Sequence, residues 1–222
     1  MAGVPGGGKG LCIKALANES NLPLIRLDIA KVYDHYVGES ERNLRSALTS
    51  IERLAPCVVW IDEFSRFVIG KDSQGDSGTT SRLFATLLTW LQEHDKPVFT
   101  AATVNDFQNL PQELIRKGRF AEVFGVGYPD FDARLEIWRI HLEKRGIPTS
   151  VAALEVLARD SENMTGAEIE AAVEETLIEC YIKGIQKDRI PAKEFETTLN
   201  EMELDSGLNQ QVLNQIEKLR RV

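Results

Sequence analysis

The sequence predicts a doubly wound parallel α/β sheet followed by a small all-α domain. Three observations carry that prediction. A glycine-rich turn, "GVPGGGKG" at positions 3–10, leads into a helix-like segment. Short apolar runs then alternate with segments of helical period as far as residue 128. Beyond Pro129 every segment reads as helix. The expected division is therefore 1–128 for the α/β domain and 129–222 for the helical domain.

Taken in order, "KGLCIKALANES" reads as the first helix and "LPLIRLD" as a short strand. "GESERNLRSALTSIERLA" places Leu44, Leu48, Ile51 and Leu54 on one helical face. "CVVWIDE" is a continuous apolar run ending in two acids, as expected of a parallel strand buried on both faces. "SRLFATLLTWLQEH" is helical and "PVFTAAT" a strand; the short helix "PQELIRK" and the strand "AEVFGVGY" complete the series. The segments "DFDARLEIWRIHLEKRG", "VAALEVLARD", "GAEIEAAVEETLIECYIKGI", "PAKEFETTLNEM" and "GLNQQVLNQIEKLRRV" form the helical part. Asp130, Thr165 and Ser206 are expected N-caps, and Gly146 and Gly184 expected stops. The polar stretch "GKDSQGDSGTTS" (70–81) reads as a solvated connector. Only Met1 and Ala2 precede the glycine turn, so the strand that leads into such a loop is expected to be truncated. That would leave neighbouring strands short of backbone partners.

The bulk properties narrow the function. Hydrophobic residues make up 43% of 222, enough for a substantial core. The net charge of −8, from 34 acidic and 26 basic residues, argues against a broad nucleic-acid surface. Cys12, Cys57 and Cys180 form no C-x-x-C pair, so reduced thiols are expected rather than a zinc site or disulfides. Neither a signal peptide nor an apolar run of membrane-spanning length is visible, which leads us to expect a soluble cytoplasmic protein with no membrane partner.

Two motifs carry chemistry. The turn matches seven of the eight positions of the phosphate-binding pattern G-x-x-x-x-G-K-[ST]. Its glycines let backbone amides approach phosphate oxygens, Lys9 adds a point charge, and the following helix aims its N-terminus at the same place. Pro5, Gly6, Gly7, Gly8, Lys9, Gly10 and Leu11 are accordingly the candidate phosphate-binding residues. The eighth position, where the pattern wants a hydroxyl, is Gly10. The second motif, "VVWIDE", sets Asp62 and Glu63 at the carboxyl end of a buried strand, the edge where ligands bind in such sheets. Asp62 is the candidate metal-side residue and Glu63 the candidate water-polarising base.

Together these motifs make the chain resemble a P-loop NTPase of the AAA ATPase family nearly end to end. "TVNDFQNLPQELIRKGRF" is similar to that family's second region of homology. The resemblance implies a catalytic sensor at Asn105 and arginine fingers at Arg116 and Arg119 that reach a neighbouring subunit's nucleotide. Guanidinium suits that work, being planar and always charged. "HYVGESERNLR" resembles the first pore loop, implying that Tyr36 and Val37 grip a protein substrate in a ring's channel; stretch 70–81 falls where a second pore loop would lie. In the helical part "MTGAEIEAAVEE" resembles the turn against adenine, with Gly166 and Ala167 as cofactor-binding residues, and His141 matches a histidine near the ribose. Within the family, "LIRLDIAKVYDHYVGESERNLR", "APCVVWIDE" and "LPQELIRKGRF" are similar to AAA proteins of cyanobacteria and algal plastid genomes, which would place such a protein in the plastid stroma if plastid-encoded. The H-E-x-x-H of metalloprotease relatives is not in the sequence, so peptide cleavage is not expected.

The resemblance implies ATP or ADP with Mg²⁺ as cofactors and a homo-oligomer, a hexameric ring, as the working form. In the family the hydroxyl at position 10 is a direct Mg²⁺ ligand. With glycine there, the expectation is that the missing side chain leaves room for a water to complete the metal's six oxygens. Nucleotide binding would then persist while hydrolysis is slowed. Two functions compete: an ATP-driven protein remodeller acting on an unnamed substrate or adaptor, and a nucleotide-binding scaffold or switch with little turnover.

Overall fold

The computed structural model describes residues 1–28, 39–64, 77–105 and 119–202. These fall into two compact units. Of the described residues, one comprises Met1–Gly3 and Lys9–Val126, the other Val4–Gly8 and the residues from Gly127 to Met202.

The first unit is built on five parallel strands: β1 (Ala2–Gly3), β2 (Leu24–Leu27), β3 (Cys57–Ile61), β4 (Val98–Ala102) and β5 (Gly125–Val126). β3 lies between β2 and β4, in register Arg26 to Trp60 on one side and Trp60 to Ala101 on the other. β1 pairs with β5, and a parallel bridge from Ala2 to Val104 ties that pair to the three-stranded sheet. The first residues therefore pair on both sides. The Met1 amine donates to Ala102 O at 2.7 Å, Gly3 N donates to Val104 O, and Ala2 N donates to Phe124 O. Beyond these residues β4 is an edge strand of the three-stranded sheet, joined to β1 through this one bridge and the Met1 bond. A Cβ on Gly3 would stand 1.9 Å from the Val126 carbonyl oxygen, so only glycine fits where β1 meets β5.

All five residues of β3 are buried, and strand alternation sends them to two different cores. Cys57, Val59 and Ile61 face Leu44, Leu48 and Ile51 of α2 (Glu39–Arg53) and Leu83, Leu87 and Leu91 of α3 (Ser77–Glu93). Val58 and Trp60 face Ile13 and Ala17 of α1 (Lys9–Glu19). Helices on both faces of a parallel sheet are the doubly wound arrangement. Two expectations need correction. Leu54 lies beyond the end of α2 and is 59% exposed, because the helical stripe stops paying attention to the core once the chain turns towards Pro56. The strand expected over "AEVFGVGY" reduces to Gly125–Val126, since β1 offers it only two residues to pair with, and Phe124 is exposed.

The second unit holds α4 (Phe131–Lys144), α5 (Val151–Asp160), α6 (Gly166–Ile182) and α7 (Ala192–Glu201). Trp138, Leu142, Leu157, Ile169, Val173 and Phe195 form its centre. Trp138 is fully buried, donates from Nε1 to Ser161 Oγ at 3.0 Å and meets Phe195 edge to face. The helix ends follow local chemistry. Asp130 accepts from Ala133 N, and Thr165 forms a capping box with Glu168. Gly146 and Gly184 take the positive φ that ends α4 and α6. The expected cap at Ser206, the helices over 111–117 and 207–222, and most of the 70–81 connector lie outside the described residues. All three cysteines are free thiols. Among the described residues no helix is long and apolar enough to cross a membrane.

Candidate nucleotide site

Within the sheet unit the candidate residues gather at the carboxyl end of β3 and the first turn of α1. Lys9 opens α1 and is buried; its Nζ donates to Gly3 O at 2.8 Å. Burial pushes the Lys9 ammonium below the ordinary lysine range, and the Asp62 carboxylate works the other way. A desolvated ammonium of this kind is stabilised when a polyanion reaches it.

Asp62 and Glu63 follow β3 directly and are held by one side chain that sequence reasoning missed. Thr103, 3% exposed at the end of β4, donates from Oγ1 to Asp62 Oδ1 at 2.7 Å. The same hydroxyl oxygen accepts from Glu63 N at 3.2 Å and from Trp60 Nε1 at 3.4 Å. Glu63 N also donates to Asp62 Oδ1, and Glu63 adopts φ +47°. A left-handed residue other than glycine costs about 1–2 kcal/mol, and such strain persists where surrounding bonds impose it. Here the two bonds to Glu63 N impose it, turning the chain sharply at the sheet edge.

Arg26 was also missed. It lies opposite Trp60 in the β2–β3 register, and its guanidinium stacks on the indole at 5.1 Å and donates to Asp62 Oδ2 at 2.7 Å. Lys14 approaches the same indole at 5.7 Å. With Arg26 exposed, the Arg26–Asp62 pair contributes at most about 1 kcal/mol to stability. Its consequence is local: a fixed positive charge on the carboxylate expected to face a metal. The one clue in the sequence was a charged residue inside the apolar run "LPLIRL".

Gly10 is explained by Trp60. A Cβ at position 10 would stand 2.8 and 2.9 Å from Cζ2 and Cη2 of that indole. On the side where a Cβ would point, the space at position 10 is thus taken by the indole. Gly10→Thr is expected to destabilise the chain by about 1–3 kcal/mol through overpacking. A lower urea midpoint checks this; an unchanged midpoint would show that the indole yields freely.

In the other unit, the turn Val4–Gly8 carries positive φ at Gly6 and Gly8, and nothing stands within 4 Å of where a Gly8 Cβ would point. Gly7 N donates to Val4 O. A Cβ on Gly6 would stand 2.7 Å from Thr165 Oγ1 and 2.9 Å from Ala167 Cβ, and Ala167 N donates to Gly6 O at 3.3 Å. Gly166 lies beside the same carbonyl, 3.8 Å from where its Cβ would stand. The structure thus brings Gly6 together with Gly166 and Ala167. Pro5 and Leu11 are exposed. His141 Nδ1 lies 3.4 Å from Glu170 Oε1 and 3.2 Å from Arg145 Nη1; burial lowers its pKa, with Glu170 raising it and Arg145 lowering it. Asn105 follows the Val104 bridge, and Arg119 is half-buried. Tyr36, Val37 and Arg116 lie outside the described residues.

Each unit by itself offers groups that suit phosphate: a buried ammonium at a helix start in the sheet unit, and a glycine turn with left-handed backbone in the other. They do not offer the donor set of a divalent metal. Asp62 already accepts from Arg26 and Thr103, and position 10 has no hydroxyl and no space for one. Among the described residues no group of three or more His, Cys, Asp or Glu side chains is placed to hold a metal.

The chain is 43% identical over 178 residues to "Uncharacterized AAA domain-containing protein ycf46" of Guillardia theta, covering 80% of this chain and 35% of that protein. It is 36% identical over 177 residues to "Cell division cycle protein 48 homolog" of Archaeoglobus fulgidus, covering 79% and 24%. It is 30% identical over 204 residues to "Proteasome-activating nucleotidase" of Methanococcus vannielii, covering 90% and 49%. The chain thus spans half or less of each of these relatives. The sequence profile of the ATPase family associated with various cellular activities (AAA) matches residues 1–128. Members of this family generally bind ATP or ADP with Mg²⁺, and the parallel sheet with helices on both faces is their P-loop NTPase fold. On that match and this fold, the chain belongs to the AAA ATPase family.

Proposed function

We propose that this chain is the ATP-hydrolysing module of an oligomeric protein remodeller, with 1–128 as the nucleotide-binding domain and 129–222 as its helical lid. One observation carries the reading: Thr103 fixes both Asp62 and Glu63 at the carboxyl end of β3, in the unit where Lys9 opens α1. With its backbone held this way, Glu63 would orient and deprotonate a water through its carboxylate, while Lys9 and the turn amides would hold the phosphates. Gly166, Ala167 and His141 would bound the base and ribose, and Asn105 would hold the attacking water. Arg116 and Arg119 would complete a neighbour's site in a homo-oligomeric ring of six, and Tyr36 and Val37 would grip the protein substrate. The acidic balance favours a protein over a nucleic acid as that substrate. The working compartment would be cytoplasm or plastid stroma.

Phosphate release measured against protein concentration tests this. A finger supplied in trans is worth about 10³–10⁵ in rate, so activity per chain is expected to rise at least about tenfold on assembly. A rate per chain that stays flat with concentration overturns the trans-acting ring. A second reading, a nucleotide-binding switch without turnover, is favoured by the indole over Gly10 and the Arg26–Asp62 pair. It requires ATP binding with no phosphate release at any concentration.

A further inference from the structure

Resting on that reading of the site, we propose that ATP binding by this chain does not depend on a divalent cation, because Arg26 supplies the fixed positive charge at Asp62. It deepens the nucleotide assignment by naming the charge that neutralises Asp62 in place of a metal.

Three contacts within the sheet unit support it. Arg26 Nη2 donates to Asp62 Oδ2 at 2.7 Å, so one carboxylate oxygen is bound by a guanidinium. Thr103 donates to the other oxygen at 2.7 Å, so both are engaged by donors that belong to the chain. The Trp60 indole, against which Arg26 stacks at 5.1 Å, stands where the side chain of residue 10 would go. Asp62, Arg26, Trp60 and Gly10 thus lie in one continuous series of contacts. The indole is not loose: it is 8% exposed and donates to Thr103 Oγ1. The two places where this chain would meet a metal, position 10 and Asp62, are thus occupied by groups that support each other.

A metal at this place would neutralise Asp62 and the terminal phosphates together. Arg26 neutralises Asp62, and Lys9 remains as the cation at the start of α1. An arginine is charged at every working pH and needs no ion supply. Its guanidinium is also more weakly hydrated than a metal ion, so it stays beside a partly buried carboxylate at lower cost.

The test measures ATP affinity for the full chain by equilibrium dialysis, in excess Mg²⁺ and in excess EDTA. The expected result is agreement within about twofold for the parent. Arg26→Gln is expected to make binding cation-dependent, with affinity in Mg²⁺ at least about tenfold above that in EDTA, whereas Arg26→Lys keeps the two equal. A parent that loses tenfold or more in EDTA overturns the inference and leaves the nucleotide reading intact. An Arg26→Gln variant that remains indifferent to Mg²⁺ also overturns it, since another group would then carry the charge. No binding in either buffer overturns both readings. The parent comparison stands without any variant, so misfolding of Arg26→Gln would not rescue a wrong proposal.

Discussion

Replacing Glu63 with glutamine is expected to lower ATP turnover by about 10²–10⁴-fold, the range spanned by general-base catalysis, while ATP binding is retained. The expectation follows from how tightly the backbone at Glu63 is specified. Its N–H donates to both Asp62 Oδ1 and Thr103 Oγ1, and its φ of +47° is imposed by those bonds. Glutamine keeps the shape and the backbone bonds and removes only the basic oxygen. Steady-state phosphate release, paired with ATP binding by dialysis, reads the two effects separately. Turnover unchanged in Glu63→Gln would remove Glu63 from the proposed role. Loss of binding together with turnover would show that the side chain holds the loop and not the water.

The second large effect is structural and sits in the helical unit. Trp138→Ala is expected to destabilise the chain by about 3–5 kcal/mol, the usual cost of truncating a fully buried aromatic. The indole is 0% exposed, makes an edge contact with Phe195 at 6.1 Å between ring centres, and donates to Ser161 Oγ. Its removal opens a cavity where α4, α5, α6 and α7 meet and withdraws a donor from Ser161. Guanidinium unfolding of the full chain, with hydrogen exchange of α4 and α6 amides, checks the prediction. Tyr181→Ala, at a position 85% exposed on α6, serves as the control and is expected to shift the midpoint little. Equal midpoints for the two variants would mean that Trp138 is not a keystone of that core.

Much of this architecture was legible in the residues because its causes are local. The heptad-like spacing of Leu44, Leu48 and Ile51 selects the buried face of α2, and the run Cys57–Ile61 announces a strand covered on both sides. The capping box at Thr165 and Glu168, the Asp130 cap and the stops at Gly146 and Gly184 involve partners no more than a turn away. The candidate phosphate turn and the Asp62–Glu63 pair were legible for the same reason. Their chemistry is written into adjacent positions.

What escaped was set by register between strands. Arg26 and Trp60 are far apart in the chain and become neighbours because Arg26 is placed opposite Trp60 in the β2–β3 ladder. Thr103 reaches Asp62 because β4 runs beside β3 with Ile61 opposite Ala102, which brings the residue after β4 level with the acid after β3. No local pattern encodes a register, since sliding a parallel strand by two residues preserves its alternation while changing every cross-strand partner. By itself, then, the sequence determined the layers, the helix ends and the family to which the chain belongs, through patterns spanning a few residues. The tertiary structure alone decided that Gly10 faces an indole, that Asp62 holds an arginine and that Thr103 locks the acid pair, because each of those contacts exists only once neighbouring elements have packed in register.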